Sequence, residues 1–246
     1  MRTLVILLSL LTIISHAADS KPKQLLAGAA TSNITPEIGG DIIGGFNPFP
    51  SKHVHDDLHV RCLVLDNGER KLAFAVCDLL GGAREMFDEA ARLTKEATGI
   101  PRECIVMSGT HTHSASSALG KDRFKVPAQL DEYQKFVARR IADGITRAVN
   151  NLAPARIGWA VGNEPNQVFN RRWLMKPGTV PENPFGTFDQ VKMNPGHNSN
   201  LVKPAGPTDP EVCLLSVQSA DGRPLAFLAN SSLHYVVDVG NAHISA

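Results

Sequence analysis

The sequence predicts an α/β protein that has a mixed β-sheet core flanked by helices. Two observations lead to this prediction. Strand-like and helix-like segments alternate over the first part of the chain, and short apolar runs joined by turn residues follow near its end. With 246 residues, 43% of them apolar, the chain is long enough to bury a substantial core. Helices packed on a sheet are the arrangement that such an alternation favours.

The first strands are predicted from apolar runs bounded by turn residues. Leu25–Ile34 forms the opening strand and ends before a proline. His59–Leu65 and Lys71–Leu79 flank Asn67-Gly68, the dipeptide that most strongly favours a tight hairpin turn. We therefore expect these two runs to pair as an antiparallel hairpin.

Two helices follow from a spacing of three to four residues between apolar positions. The first covers Ala83–Thr98 and ends where Gly99 and Pro101 interrupt the pattern. The second covers Leu130–Val149. Between them, Glu103–Ser108 is predicted to be a buried strand, because it is short and almost wholly apolar at its centre.

The rest of the chain is predicted to be strands around one long connection. Arg156–Val161 is a strand, and Glu211–Gln218 pairs with Pro224–Asn230 as a hairpin around Asp221-Gly222. Asn163–Pro210 is rich in Asn, Pro and Gly, and we expect a loop there. A loop of that length in a compact protein is more often functional than idle.

The sequence also predicts one feature at each terminus of the chain. Residues 1–17 contain a basic start, an apolar stretch and a small-residue cleavage site, the pattern of a signal peptide. The mature protein is therefore expected to be secreted or periplasmic, and an uncleaved membrane anchor is the alternative. Leu233–Ala246 begins like the entry to a site, and no predicted helix or strand follows it. We therefore expect a fold that is incomplete at the C-terminus, and a chain that is part of a longer domain. Closing elements supplied by another chain are the alternative.

Four cysteines remain in a compartment that permits disulfides. A tight hairpin would place Cys62 opposite Lys71–Ala73, too far from Cys77 for a disulfide. Each cysteine, Cys104 and Cys213 included, lies in an apolar strand-like run. We therefore expect four buried free thiols.

The segment His111-Thr112-His113-Ser114 is the strongest candidate for chemistry. It follows the strand predicted at Glu103–Ser108, at the carboxyl end where open α/β sheets place ligands. Alternate residues of an extended chain point to the same side, so the two imidazoles could serve as two metal ligands, or as a ligand and a proton-transfer group. A hydrogen-bonded strand cap is the alternative.

His234 occupies the same position after its own strand, and a third imidazole from a neighbouring strand end would extend the metal set. A hydrogen-bonded core histidine is the alternative. His53-x-His55 and His243, the latter with Asp238, are weaker candidates. Three acids, Asp56, Asp57 and Asp78, either orient a ligating imidazole or cap strands and turns.

Asn170-Arg171-Arg172-Trp173 lies in the long predicted loop. A planar guanidinium suits a carboxylate or an oxyanion that develops in a transition state. An ordinary pair of surface arginines is the alternative. The net charge of +1 and the scattered basic residues argue against a nucleic-acid partner.

Several segments together resemble the neutral/alkaline, non-lysosomal ceramidases. Ser108–Ser114 is similar to the Ala-Thr-His-Thr-His-Ser-Gly signature of that family. The other segments occur in the family's order and are Ala27–Pro36, Val54–Arg61, Asn170-Arg171 and Asp209–Val212. The resemblance covers residues 25–246 and is carried by the ordered series rather than by any one motif.

This resemblance implies a zinc-dependent hydrolase that cleaves the amide of N-acyl-sphingosine-like lipids to a fatty acid and a sphingoid base. It implies His111 and His234 as zinc ligands, His113 and Arg171 as catalytic residues, and a substrate contact by Asn170. A backbone contact to substrate is implied for Gly44 or Gly45.

The implied partner is a lipid or another small-molecule amide, with peripheral contact to a membrane surface. A further Glu, Tyr and Ser of the family's site would lie beyond residue 246, so residues 25–246 would be the N-terminal portion of a ceramidase-like catalytic domain. We therefore expect little or no activity from this chain alone. An exported hydrolase of another amide or ester, or a non-catalytic exported binding module, are the alternatives.

Overall fold

The structure, a computed structural model, describes residues 24–43, 47–116, 118–120, 129–234 and 239–246. The predicted signal peptide, Gly44, Gly45 and Asp238 lie outside the described residues. The strands are β1 (Leu26–Asn33), β2 (Asp41–Ile42), β3 (Phe49–Pro50), β4 (His53–Val54), β5 (His59–Asp66), β6 (Lys71–Cys77), β7 (Ile105–Gly109), β8 (Ala153–Asn163), β9 (Arg172–Met175), β10 (Val191–Met193), β11 (Leu201–Pro204), β12 (Glu211–Ser219), β13 (Pro224–Ser231) and β14 (His243–Ile244). The helices are α1 (Arg84–Thr98) and α2 (Glu132–Asn150).

Seven strands form the central sheet in the order β13-β12-β8-β1-β5-β6-β7. Every pairing in it is antiparallel except that of β6 with β7, which are parallel and are joined through α1. The predicted mixed sheet with helices against it is confirmed. The parallel pair places the carboxyl end of β7 beside that of β6, and the candidate site lies there.

Helix α2 packs on one face of the sheet. Val137, Ile141 and Ile145 are fully buried in the same core as Val60 and Val64 of β5. The helix begins at a capping box, in which the Asp131 side chain accepts from the Gln134 N–H and the Gln134 side chain reaches back to the Asp131 N–H. Helix α1 lies beside α2 and ends at Gly99, whose φ of +75° suits glycine.

The opposite face of the sheet is open at β8 among the described residues. Trp159 is 78% exposed and Val161 is 58% exposed. Alternation along β8 places both side chains on the face that carries Leu63 and Val217, away from α2. The small second core around Leu63 and Val217 is therefore the only packing we find on this face within the described chain.

Two details of the sequence prediction are wrong. The β5–β6 turn has four residues, because the side chain of Asn67 accepts from the N–H groups of both Glu69 and Arg70. The longer turn moves the register by two residues and sets Cys62 opposite Ala75. The segment predicted as a loop at 163–210 contains a three-stranded antiparallel sheet, ordered β10-β9-β11.

All four cysteines are free, as predicted, but only Cys62, Cys77 and Cys104 are buried. Cys213 is exposed, because its partner on β8 is Val161, on the open face. Burial raises the pKa of the Cys62 thiol to about 12. It also raises the pKa of Cys77.

The exposure difference predicts a selective thiol reaction. A thiol reagent at pH 8 will modify Cys213 within minutes in the native protein, and the buried thiols will react only after unfolding in guanidinium, because the thiolate is the reactive form. Mass spectrometry of the labelled protein will count one modified cysteine before unfolding and four after it. Rapid native labelling of Cys62 would contradict the packing of β5 against α2.

No described helix has both the length and the apolar composition needed to cross a membrane.

Candidate metal centre

Three histidines meet beyond the ends of β7 and β13. The ring centroids of His111 and His113 lie 4.9 Å apart, and that of His234 lies 5.2 Å from His111 and 5.1 Å from His113. One ring nitrogen from each residue can be chosen so that all three lie within 4.8 Å of one another. The three side chains therefore face one point in space.

The sequence suggested that His234 would reach the cluster from a strand next to that of His111, and this prediction is wrong. β7 and β13 are the two edge strands of the seven-stranded sheet. β1 and β8 pair at only two positions, Leu26 with Pro154 and Ala27 with Ala153. The two parts of the sheet are therefore joined by a short junction, and His111 and His234 come together from its two edge strands.

His111 is held in a left-handed backbone conformation, with a φ of +65°. The sequence predicted an extended chain here, and this prediction is wrong. The backbone N–H of His111 donates to the carbonyl of Leu79 at 3.0 Å, which fixes the residue at the end of β6. A positive φ in a non-glycine residue is unusual, and such conformations cluster at functional sites.

The ring of His111 is oriented by the backbone of Leu80. The distance from Nδ1 of His111 to the Leu80 carbonyl oxygen is 2.8 Å. Since a carbonyl only accepts, Nδ1 carries the proton and Nε2 keeps its lone pair. A ligating histidine is typically fixed in this way by a carbonyl or a carboxylate on its other nitrogen. Sequence reasoning offered only acids for this role.

The acids proposed for that role lie elsewhere. Asp78 accepts from the N–H of His59 and forms a 2.6 Å ion pair with Arg61, so it caps a strand. Asp57 accepts from the hydroxyl of Thr35. Asp56 accepts from Ser245 and Ala246.

The weaker histidine candidates form a separate pair. The rings of His53 and His243 lie 4.6 Å apart, where β4 and β14 pair in parallel. Neither residue belongs to the group around His111.

The charge of Arg171 acts on His234. Burial, followed by the charges of Arg171, His113 and His111, lowers the pKa of His234. A lowered pKa keeps His234 neutral near pH 7, the state in which an imidazole can bind a metal. Nε of Arg171 donates a 3.0 Å hydrogen bond to the side-chain oxygen of Asn194, and this contact positions the guanidinium.

Asn170 is engaged within its own loop. Its Nδ2 donates to the carbonyl of Pro207 at 3.0 Å, and its Oδ1 accepts from the N–H of Arg172 at 2.9 Å. Both ends of the amide therefore hold the loop that carries Arg171. Its predicted contact with substrate stays a prediction.

This loop lines an open groove of about 340 Å³. Its lining combines two arginines and an acid with apolar side chains, and includes Phe169, Arg171, Arg172, Met193, Asp209 and Ser232. Ser232 of this lining is two residues from His234 in the sequence, and Arg171 of the lining is the residue whose charge acts on His234. The lining suits an amphiphilic ligand.

The three imidazoles are suitable zinc ligands, and their nitrogens lie slightly farther apart than a zinc site requires. Tetrahedral zinc binds imidazole nitrogen at about 2.0–2.1 Å, which places ligand nitrogens about 3.3 Å apart. Nitrogens up to 4.8 Å apart would have to move inward by roughly 1 Å each. A shift of that size is within the reach of exposed or half-buried side chains, and these three are of that kind.

Two solved structures share the fold of this chain. One is a ceramidase complexed with C2, with a TM-score of 0.56 and 18% identity, covering 84% of this chain and 30% of that one. The other is neutral ceramidase from Pseudomonas aeruginosa, with a TM-score of 0.55 and 19% identity, covering 85% and 32%. No protein-family model and no curated protein matches the chain.

The comparisons confirm the predicted resemblance at the level of the fold. The chain spans about a third of the length of the ceramidase structures that it matches.

Proposed function

We propose that this chain carries the histidine part of the zinc site of a neutral-ceramidase-type amide hydrolase. One observation carries the proposal: three imidazoles converge, with ring nitrogens within 4.8 Å, on a fold shared with ceramidases. The substrate class that follows is an N-acyl-sphingosine-like lipid, cleaved to a fatty acid and a sphingoid base.

In this proposal His111 and His234 are the metal ligands. His111 presents Nε2, since its Nδ1 donates to Leu80. His234 has a lowered pKa and is therefore neutral at pH 7. A bound zinc ion would lower the pKa of a coordinated water toward about 7 and polarise the amide carbonyl.

His113 would act as the proton-transfer group beside these ligands. Its ring lies edge-on to both neighbours, at 4.9 and 5.1 Å, and its Nε2 is buried. An imidazole there can take a proton from the attacking water and return it to the leaving amine. Arg171, whose charge reaches His234, would stabilise the oxyanion that develops on the amide oxygen.

A substrate other than ceramide is the second candidate, and the groove favours it. Arg172 and Asp209 place charges of both signs along its lining, next to Phe169 and Met193. A polar or charged headgroup would use these charges better than the uncharged sphingoid head of ceramide would. The β9–β11 sheet in the segment 163–210 supplies part of this lining.

Export is part of the proposal and is supported by the pattern of residues 1–17. A secreted or periplasmic enzyme of this type would meet its lipid at a membrane surface. Fractionation of expressing cells, with N-terminal sequencing of the mature protein, tests the predicted cleavage after Ala17.

The function is tested with the polypeptide that the complete gene encodes. Zinc content and release of fatty acid are measured on ceramides of different acyl length, and on N-acyl amino acids as a charged amide class. Turnover of ceramides supports the ceramidase proposal, and turnover of the charged amides alone supports the second candidate. Tight zinc binding without hydrolysis of either class would contradict both candidates and favour a binding module.

Substitution of His113 separates a ligand from a proton-transfer group. We expect His113→Ala in the complete protein to retain stoichiometric zinc and to lose about 100-fold or more in kcat, since general acid–base catalysis contributes about 10²–10⁴-fold. Metal analysis and initial rates are measured on the same preparation. Loss of the metal would instead assign His113 as a third ligand.

The 246-residue chain alone is expected to bind zinc weakly and to release no measurable fatty acid from ceramide. Two or three imidazoles leave the ion short of the protein ligands that a catalytic site requires. Calorimetric titration with zinc and a fatty-acid release assay test both parts. Efficient turnover by this chain would show that residues 1–246 contain the whole site.

A further inference from the structure

The loop that carries His113 is tied to a segment far from it in sequence. The side chain of Thr112 donates to the carbonyl of Ser245 at 3.1 Å, and the N–H of Ser245 donates to the carbonyl of Ser114 at 2.9 Å. Both residues that flank His113 are therefore held by one residue. His111 is held separately, by Leu79 and Leu80.

Ser245 is in turn fixed by Asp56. The Ser245 hydroxyl donates to Oδ2 of Asp56 at 2.7 Å, and the N–H of Ala246 donates to Oδ1 at 2.7 Å. Bonds to an ionised carboxylate at this distance are among the stronger hydrogen bonds of proteins. Ser245 is 5% exposed, so water competes little for its side of the contact.

The rest of the segment 242–246 is anchored near Asp56 as well. The N–H of Lys52 donates to the carbonyl of Ala242 at 2.9 Å, and the N–H of His55 donates to that of Ile244 at 2.8 Å. Ile244 is fully buried in the main core. The segment is therefore held in place, and Asp56 fixes Ser245, the residue that contacts the histidine loop.

We propose that Asp56 is a positioning residue for His113, acting through Ser245 and the residues on either side of the imidazole. The proposal rests on the proposed function, in which His113 works beside the metal ligands. Asp56 touches neither the histidines nor the groove in the described structure, so its effect is transmitted by the backbone of the 242–246 segment.

The chain offers a matched control at the next position. Asp57 is also an exposed acid, and it accepts from Thr35 rather than from the 242–246 segment. Asp56→Ala and Asp57→Ala remove the same charge from the same turn. Only the first removes the tie to Ser245.

The test uses the 246-residue chain labelled with ¹⁵N and ¹³C in histidine, first without metal. The His113 resonance is assigned by its loss in His113→Ala, and exposed His197 is the reference. In Asp56→Ala we expect the His113 resonance to shift or broaden while that of His197 stays in place. In Asp57→Ala both should match the unsubstituted chain. A His113 resonance unchanged in Asp56→Ala, or changed equally in Asp57→Ala, would overturn the inference.

Zinc titration of the same samples then distinguishes this inference from the proposed function. Because His111 is held separately by Leu79 and Leu80, we expect Asp56→Ala and Asp57→Ala to bind zinc with the affinity of the unsubstituted chain. If the unsubstituted chain binds no zinc, the proposed function fails, while the metal-free spectra still decide the role of Asp56.

Circular dichroism checks that the variants fold. If Asp56→Ala does not fold, Ser245→Ala removes the hydroxyl contact alone, and an unchanged His113 resonance there would overturn the inference.

Discussion

Replacement of His111 or His234 by alanine will lower the zinc affinity of the chain by about 100-fold or more, and the fold will remain. The expected loss exceeds the 10–100-fold that supporting residues contribute, because a ligand itself is removed. Neither residue belongs to the buried core, and both are exposed at the rim of the sheet. The metal-free variants should therefore remain folded, and the unfolding midpoint should fall slightly in His111→Ala, which loses the hydrogen bond to Leu80.

The measurement is calorimetric titration with zinc at pH 7.5, with His197→Ala as the matched control. His197 is an exposed histidine in the 163–210 segment, and it does not belong to the group formed with His111. We expect the control to bind zinc as the unsubstituted chain does. Equal affinity in His111→Ala, His234→Ala and His197→Ala would show that any bound zinc sits elsewhere.

Gly28→Ala will destabilise the protein by about 3 kcal/mol. Gly28 lies on β1 opposite Val64 and under the end of α2. A β-carbon at this position would lie 2.0 Å from the carbonyl oxygen of Ala148 and 2.9 Å from backbone atoms of Asn151 and Leu152. These are backbone atoms, so no side chain can rotate away, and α2 would have to move off the sheet. A loss of this size is a large share of the 5–15 kcal/mol of a typical domain.

Urea unfolding measures this loss, and Gly158→Ala is its control. Gly158 lies on β8, and a β-carbon there would meet nothing within 4 Å. We expect this control to change the free energy of unfolding by less than about 1 kcal/mol, because Ala mainly restricts the unfolded chain. A Gly28→Ala variant as stable as Gly158→Ala would contradict the close contact between β1 and α2.

The strands and helices could be predicted from local patterns, since each depends on neighbours in the sequence. The β5–β6 and β12–β13 hairpins and both helices occur within a few residues of their predicted bounds. The β5–β6 register was wrong because the Asn67 side chain holds a four-residue turn, which depends on hydrogen bonds rather than on composition. The β9–β11 sheet was missed because its strands of three or four residues are separated by Pro and Gly.

The candidate site could be predicted only in part. That His111 and His113 lie together was predicted from their spacing at the end of a strand, whereas the left-handed backbone at His111 was not. The approach of His234 to His111 brings together the two edge strands of the sheet, which no local pattern encodes. The Leu80 carbonyl and the Ser245 contacts involve backbone groups, and every residue has these. Their roles become visible only once the chain is folded.

The most direct test of the account is X-ray absorption at the zinc edge, recorded on the chain loaded with one equivalent of zinc. We predict a first shell that contains nitrogen at about 2.0–2.1 Å, with the outer-shell scattering of at least two imidazole rings. In His234→Ala one ring's contribution should disappear. A first shell of oxygen alone, or a spectrum that is identical in His234→Ala, would contradict the claim that His111 and His234 bind one metal ion.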